Sequence, residues 1–242
     1  MIKLNCDIGE SFGIWTMGND EKIFPHINMA NLACGFHASD SVTMQKSVLL
    51  AKKYDVQIGA HISYQDLVGF GRRSMNCTSE EIQTLSIYQI GALSAFCKVN
   101  DCNISYVKPH GALYNDMMKD DDIFISILKA ISSYNISIKL MILSTLNNDK
   151  YEKIATKYNI ELIYEVFADR NYTNDGYLVP RSQDNAVIYD EKIILNRITT
   201  LKNDGYLQSI DDKKLYIKSD SICIHGDNEK AIDFIKLLKQ NI

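Results

Sequence analysis

The ionisable residues of this chain gather in short runs that follow β-prone segments. NCDIGE supplies Asp7 and Glu10, NLACGFHASD supplies Asn31, His37 and Asp40, and GAHISYQD supplies His61 and Asp66. KPHGALYN then brings Lys108, His110 and Asn115, EVFADRNY brings Glu165, Asp169 and Arg170, and CIHGD brings His225 and Asp227. Four of the five histidines thus follow a predicted strand. Even scatter would not produce this, because strand-end loops occupy a minority of the chain. KPHGALYN is the sharpest case. It sets a lysine and a histidine on either side of Pro109 in a turn closed by Gly111, where a turn needing only solubility would use Asn, Gly, Ser and Asp. Several titratable groups brought to one place suit general acid–base chemistry.

Plainer roles are open to the same residues. Asp7 and Asp40 have the side chain of a helix N-cap, and Asp227 reads as one. His26, between Pro25 and Ile27, reads as structural, and Tyr172 and Tyr177 read as the filling of a long loop. Arg72-Arg73 is either a solvated pair or an anion site, and the preceding Gly69-Phe70-Gly71 would let backbone fold close to a ligand. Asp7 with two of the histidines is a donor set that suits zinc or a similar ion. No HxxH or HExxH spacing accompanies it, so the metal stays open. GxxxxGK[ST] and GxGxxG are both absent, which leaves a P-loop or Rossmann nucleotide site without support. The six cysteines form no CxxC pair and read as reduced, mostly buried residues. Cys6, Cys34 and Cys223 stand at strand ends, where one could line a site.

Elements with a definite order must position these groups. Strand-like runs occupy Ile2–Cys6, Asn28–Ala33, Val56–Ala60, Ile104–Val107, Ile138–Leu143, Glu161–Val166 and Ser221–Ile224. Several are apolar on both sides of the pleat, as in a parallel sheet covered by helices. Helical stripes lie between them: Met44, Val48 and Ala51; Ile123, Ile127 and Ile131; Ala231, Phe234, Ile235 and Leu238. Thr78 and Glu81 form a capping box that opens a helix reaching about Val99. Alternating strands and helices predict an α/β fold with a parallel sheet, in which the carboxyl ends of the strands share one face. Two connections exceed the usual few residues, His61–Cys77 with Arg72 and Arg73, and Phe167–Tyr189 with Arg170 and Arg181; loops of this length are often binding loops. A chain of 242 residues without a linker or repeat predicts one domain, 1–242. A net charge of −4 argues against nucleic acid or an anionic membrane as partner, and no run approaches the roughly 18 apolar residues of a membrane helix. With no signal-peptide pattern at its start, the chain is expected in the cytoplasm.

Seven ordered motifs, NCDIGE, NLACGFHASD, GAHISYQDLVGFGRR, YQIGAL, KPHGALYN, EVFADRNY and CIHGD, resemble the LamB/YcsF family almost end to end. The resemblance implies a TIM-like (β/α) barrel of the glycoside hydrolase/deacetylase type with seven strands. It also implies hydrolysis of 5-oxo-L-proline to L-glutamate, coupled to ATP hydrolysis with magnesium and carried out with the B and C subunits of 5-oxoprolinase. On that reading Asp7, Glu10, His37, His61, Lys108 and His110 are the catalytic candidates. Asn31, Asp40, Arg72, Arg73, Asn115, Glu165, Asp169, Arg170, Arg181 and His225 are the candidates for binding substrate or phosphate. Two departures concern loops. Ser39 stands where the family motif has glycine, and Ile62 and Gln65 stand where it has prolines, which puts the rigidity of the Asp66 loop in question. The competing classes are a stand-alone metal-dependent deacetylase or amidohydrolase on the same barrel, and a non-catalytic scaffold protein.

Overall fold

The computed structural model describes residues 2–134, 137–224, 232, 234–236 and 238–239. Seven parallel strands close into a barrel: β1 (Lys3–Ile8), β2 (Met29–Ala33), β3 (Gln57–Ile62), β4 (Ile104–Pro109), β5 (Lys139–Leu143), β6 (Leu162–Phe167) and β9 (Ser221–Cys223). β9 pairs with both β6 and β1 and so completes the ring. Each of the seven expected strands is present, with ends that coincide or shift by at most two residues. Outside the barrel, β7 (Leu207–Gln208) and β8 (Lys214–Leu215) make a small antiparallel ribbon.

The helices include α1 (Asp20–Ile23), α2 (Ser41–Lys53), α3 (Ser79–Val99), α4 (Gly111–Met117), α5 (Asp121–Ser132), α6 (Asn148–Thr156) and α7 (Glu191–Asp204). Met44, Val48 and Ala51 are buried, as are Ile127 and Ile131, while Ile123 packs at the core's edge. Phe234, Ile235 and Leu238 are buried too, and Ala231 lies outside the described residues. Thr78 caps α3 as expected: its hydroxyl accepts from Glu81 N at 3.2 Å, and Glu81 Oε2 accepts from Thr78 N at 2.7 Å.

Period-two alternation sorts the strand residues between two environments. Outward-facing residues such as Leu4, Cys6, Ala30, Ile58 and Val107 join the large core shared with the helices. Inward-facing Met29, Tyr106, Met141 and Ile163 form a separate apolar plug inside the barrel. The plug depends on Gly59, since a Cβ there would lie 2.2 Å from the Tyr106 ring. Above it the inward positions turn polar: Asn5 and Asp7, Asn31, His61, Lys108, Glu165 and Cys223. The barrel is therefore filled at one end and chemically equipped at the carboxyl end of its strands.

Candidate active site at the barrel mouth

Lys108 is the hub of the polar layer. Its ammonium lies 2.9 Å from Asp7 Oδ1, 2.8 Å from Glu165 Oε1, 3.3 Å from Asn5 Oδ1 and 3.3 Å from Cys223 Sγ. Burial opposes its charge, and the carboxylates of Asp7 and Glu165 together outweigh that cost, so the group titrates well above an ordinary lysine. Asn31 Nδ2 donates to both Asn5 Oδ1 and Asp7 Oδ1, Tyr106 donates to Asn31 Oδ1, and Tyr114 donates to Glu165 Oε2. Asp7 is thus a strand residue in an ion-pair network, and the N-cap alternative does not apply to it. Burial pushes the Cys223 thiol well up, which keeps it protonated despite its lysine neighbour.

Beside this network three imidazoles stand within contact of one another. His37 and His110 stack with ring centres 3.9 Å apart and planes 3° from parallel, and His61 stands at right angles to both. His61 Nδ1 donates to the Lys108 carbonyl at 2.8 Å, and His110 Nε2 donates to the Phe70 carbonyl at 2.9 Å. Their other nitrogens, His61 Nε2 and His110 Nδ1, face each other at 2.9 Å. Carboxylates flank the group: Asp7 Oδ2 lies 3.3 Å from His61 Nε2, and Glu10 Oε1 lies 3.3 Å from His37 Nε2 and 3.7 Å from His110 Nδ1. Burial, reinforced by the neighbouring imidazoles, holds His37 and His110 well below the ordinary histidine value. Glu10, His37, His61 and His110 offer donor atoms that all lie within 4.8 Å of one another, a group able to hold a metal ion.

The loop after β3 supplies the Phe70 carbonyl, and two glycines make its approach possible. A Cβ on Gly71, at φ +62°, would lie 2.3 Å from Ser63 Oγ, 2.8 Å from His37 Cβ and 2.9 Å from His110 Cδ2. One on Gly111, at φ +54°, would lie 2.5 Å from the Gly71 oxygen. Phe70 itself adopts φ +53°, a conformation costly for a bulky residue and one that recurs at functional sites. The two missing prolines do not leave this loop slack. Gln89 brackets Ser63 with bonds to its N–H and carbonyl, and Gly71 N donates to Asp66 O at 2.8 Å. Arg73 Nε donates to Asp66 Oδ1 at 3.0 Å.

Over the site opens a cleft of about 940 Å³, lined in part by Asp7, Glu10, His61, Lys108 and His110. Arg72, Arg170, Arg181 and Asn115 line the same cleft. The Arg170 guanidinium bonds to the Val179 and Ala186 carbonyls, and burial lowers it to about 10. Asn31, Asp40, Arg73, Glu165 and Asp169 do not line this cleft. Asp40 caps α2, accepting from Val42 N and Thr43 N, and ties the first loop through Gly13 N. Arg73 extends into solvent and pairs with Asp66, and Glu165 is sealed inside the barrel. Asp169 lies in the loop after β6, where its carbonyl accepts from Ile188 N. Tyr172 is fully buried, its hydroxyl accepting from Phe167 N. His225 and Asp227 fall outside the described residues.

Four contributors escape a reading by motif end alone. Asn5 shares the inward face with Asp7 two residues on, and Tyr106 shares it with Lys108, so the alternation rule could have found both. Tyr114 follows His110 by one helical turn. Asp20 lines the cleft, accepts from Gly9 N at 3.0 Å, and has its carboxyl pushed up to about 6 by burial; nothing around it in the sequence marks it.

The whole assembly has counterparts. Residues 2–242 match the LamB/YcsF family. The 5-oxoprolinase A subunit of Vibrio parahaemolyticus is 48% identical over 241 residues, which covers all of this chain and 95% of that protein. The third 5-oxoprolinase A subunit of Pseudomonas aeruginosa is 43% identical, covering 98% of this chain and 95% of its own length. The crystal structure of the lactam utilization protein from Thermus thermophilus superposes with a TM-score of 0.90 at 35% identity, over 99% of this chain and 95% of that one. Likeness of this extent spans every strand of the barrel and the mouth it builds. The chain belongs to the LamB/YcsF family.

Proposed function

We propose that this chain is the A subunit of a 5-oxoprolinase, hydrolysing 5-oxo-L-proline to L-glutamate with ATP hydrolysis to ADP and phosphate, in the cytoplasm and in a complex with the B and C subunits. The observation that carries the reading is the identity of 48% across the full chain to a protein of that name. The geometry agrees with it. Ring opening adds water across an amide C–N bond, so it needs a base for the water, an acid for the departing nitrogen and cations for the anionic substrate. Glu10 or Asp7 takes the proton of the attacking water, and His110, whose Nδ1 lies 3.7 Å from Glu10 Oε1, relays it to the departing ring nitrogen. Lys108 fixes Asp7, and His37 and His61 orient the groups around it. Arg72, Arg170 and Arg181 face the substrate carboxylate and fit a phosphoryl group equally well. ATP, with magnesium, would supply that phosphoryl group to the lactam oxygen with release of ADP, and phosphate would leave after water has added to the ring carbon.

A second reading, the metal-dependent amidohydrolase, is favoured by one observation, the convergence of Glu10, His37, His61 and His110. Glutamate release from 5-oxoproline separates the two. The 5-oxoprolinase reading expects release only with ATP and both partner proteins present. Release by this chain alone without ATP would replace it with the second reading.

A further inference from the structure

We propose that the mouth of this barrel is a binding site for one divalent ion of the zinc type, seated between His61 Nε2 and His110 Nδ1 with carboxylate oxygen from Glu10 and Asp7. The argument is one of proton counting. A backbone carbonyl can only accept, so the Lys108 oxygen obliges His61 to carry its proton on Nδ1, and the Phe70 oxygen obliges His110 to carry its proton on Nε2. With those protons placed on Nδ1 and Nε2, the remaining nitrogens face each other across 2.9 Å. Two lone pairs held at that distance need a positive centre between or beside them.

The surroundings fit a metal ion. Each ring donates its other N–H to a main-chain carbonyl, the arrangement that fixes the tautomer of metal-ligating histidines. Carboxylate oxygens stand 3.3 Å from His61 Nε2 and 3.7 Å from His110 Nδ1. Donors bound at about 2.0–2.2 Å in tetrahedral array stand about 3.3–3.6 Å apart, near the spacings of Asp7 to His61 and of Glu10 to His110, and Glu10, His37, His61 and His110 offer donor atoms that all lie within 4.8 Å of one another. His37, stacked on His110 and 3.3 Å from Glu10 Oε1, is either a further donor or the group that aims Glu10. Two neutral nitrogens with two carboxylates leave the loaded site without net charge and suit zinc or a similar borderline ion. Such an ion would polarise an amide oxygen or lower the pKa of a bound water. The site stands on these contacts alone and does not depend on which amide is the substrate.

The test uses the full chain, stripped with chelator and titrated with Co²⁺ as a visible probe. The inference expects d–d absorption that saturates at one equivalent, and a thermal midpoint raised by the ion and returned to the stripped value by chelator. Glu10→Gln and His110→Gln should each weaken Co²⁺ binding at least tenfold, whereas His26→Gln, outside the site, should leave it unchanged. Glu10→Gln serves as the deciding variant if His110→Gln fails to fold. Featureless spectra with no shift in midpoint would overturn the inference and leave a single shared proton as the positive centre between the rings. Binding unaffected by both variants would overturn it as well. Glutamate release is a separate readout, so failure of this inference leaves the functional proposal standing.

Discussion

Replacing Lys108 by Met tests whether the inside of the barrel is held by charge compensation. The substitution keeps the length of the side chain and deletes an ammonium lying 2.9 Å from Asp7 and 2.8 Å from Glu165. Glu165 is fully buried and the Asp7 side chain is 11% exposed, so solvent cannot take over the lost cation. Breaking a buried pair by removing one partner costs about 3–5 kcal/mol, because it strands an uncompensated charge. Asn31 and Tyr114 still donate to the two carboxylates and soften the loss, which places the expectation near the lower end, about 3 kcal/mol. For a domain of this size that lowers the thermal midpoint by roughly 6–12 °C. Thermal unfolding followed by circular dichroism measures it. The sign of the pH dependence follows from the same picture: stranded carboxylates bind protons more readily in the folded state, so the deficit should shrink as pH falls. Adding Glu165→Gln should restore part of the stability lost in Lys108→Met, giving a coupling of about 1–3 kcal/mol. A midpoint within 2 °C of the parent, about 1 kcal/mol or less, or strict additivity of the two changes, would refute the charge-compensated interior.

Three further outcomes are expected. Ser39 sits at φ +77° where the family motif has glycine, so Ser39→Gly should raise stability by about 0.5–1 kcal/mol in urea unfolding, relief of left-handed strain exceeding the added freedom of the unfolded chain; a loss would show that the Ser39 hydroxyl matters more than its backbone. Asp20, pushed up to about 6 by burial from an ordinary value of 3.8, makes the folded state costly once ionised. Its cost is absent below the lower value, grows between the two and is complete above pH 6, so Asp20→Asn should stabilise by up to about 3 kcal/mol at pH 8 and by nothing measurable at pH 3.5; equal effects at both pH values would contradict the assignment. Gly71→Ala forces a Cβ into His37 and His110, and a displacement near 1 Å at those rings should cut turnover of the assembled enzyme about a hundredfold while leaving the circular dichroism spectrum unchanged; turnover within threefold of the parent would remove the glycine from the argument.

The strands were legible because their chemistry is local. Apolar runs such as Ile138–Leu143 and their polar ends declare a buried parallel sheet and its active face, and the four-residue capping box Thr78–Glu81 declares a helix start. The membership of the mouth was legible for the same reason, since Asp7, His61, Lys108 and His110 each end a strand. Their division of labour was not. Lys108 reads in sequence as a cation awaiting an anionic ligand, whereas the closed ring of strands buries it between Asp7 and Glu165. Only pairing of β6 with β9 and β9 with β1 brings those carboxylates together, and pairing is a long-range property. The His61–His110 contact was hidden likewise, because it rests on Gly71 and Gly111 letting two loops touch. Asp40 and Arg73 have ligand chemistry but local partners that absorb it, a helix N-terminus and Asp66. The ribbon of β7 and β8 was missed because two-residue strands carry no period.

The most direct test of the central claim is glutamate release from 5-oxo-L-proline by this chain mixed with the B and C subunits, with ATP present and absent. The account predicts release that requires ATP and all three proteins, and that falls at least a hundredfold in Asp7→Asn. No ATP-dependent release from the complete mixture, or full activity in that variant, would contradict it.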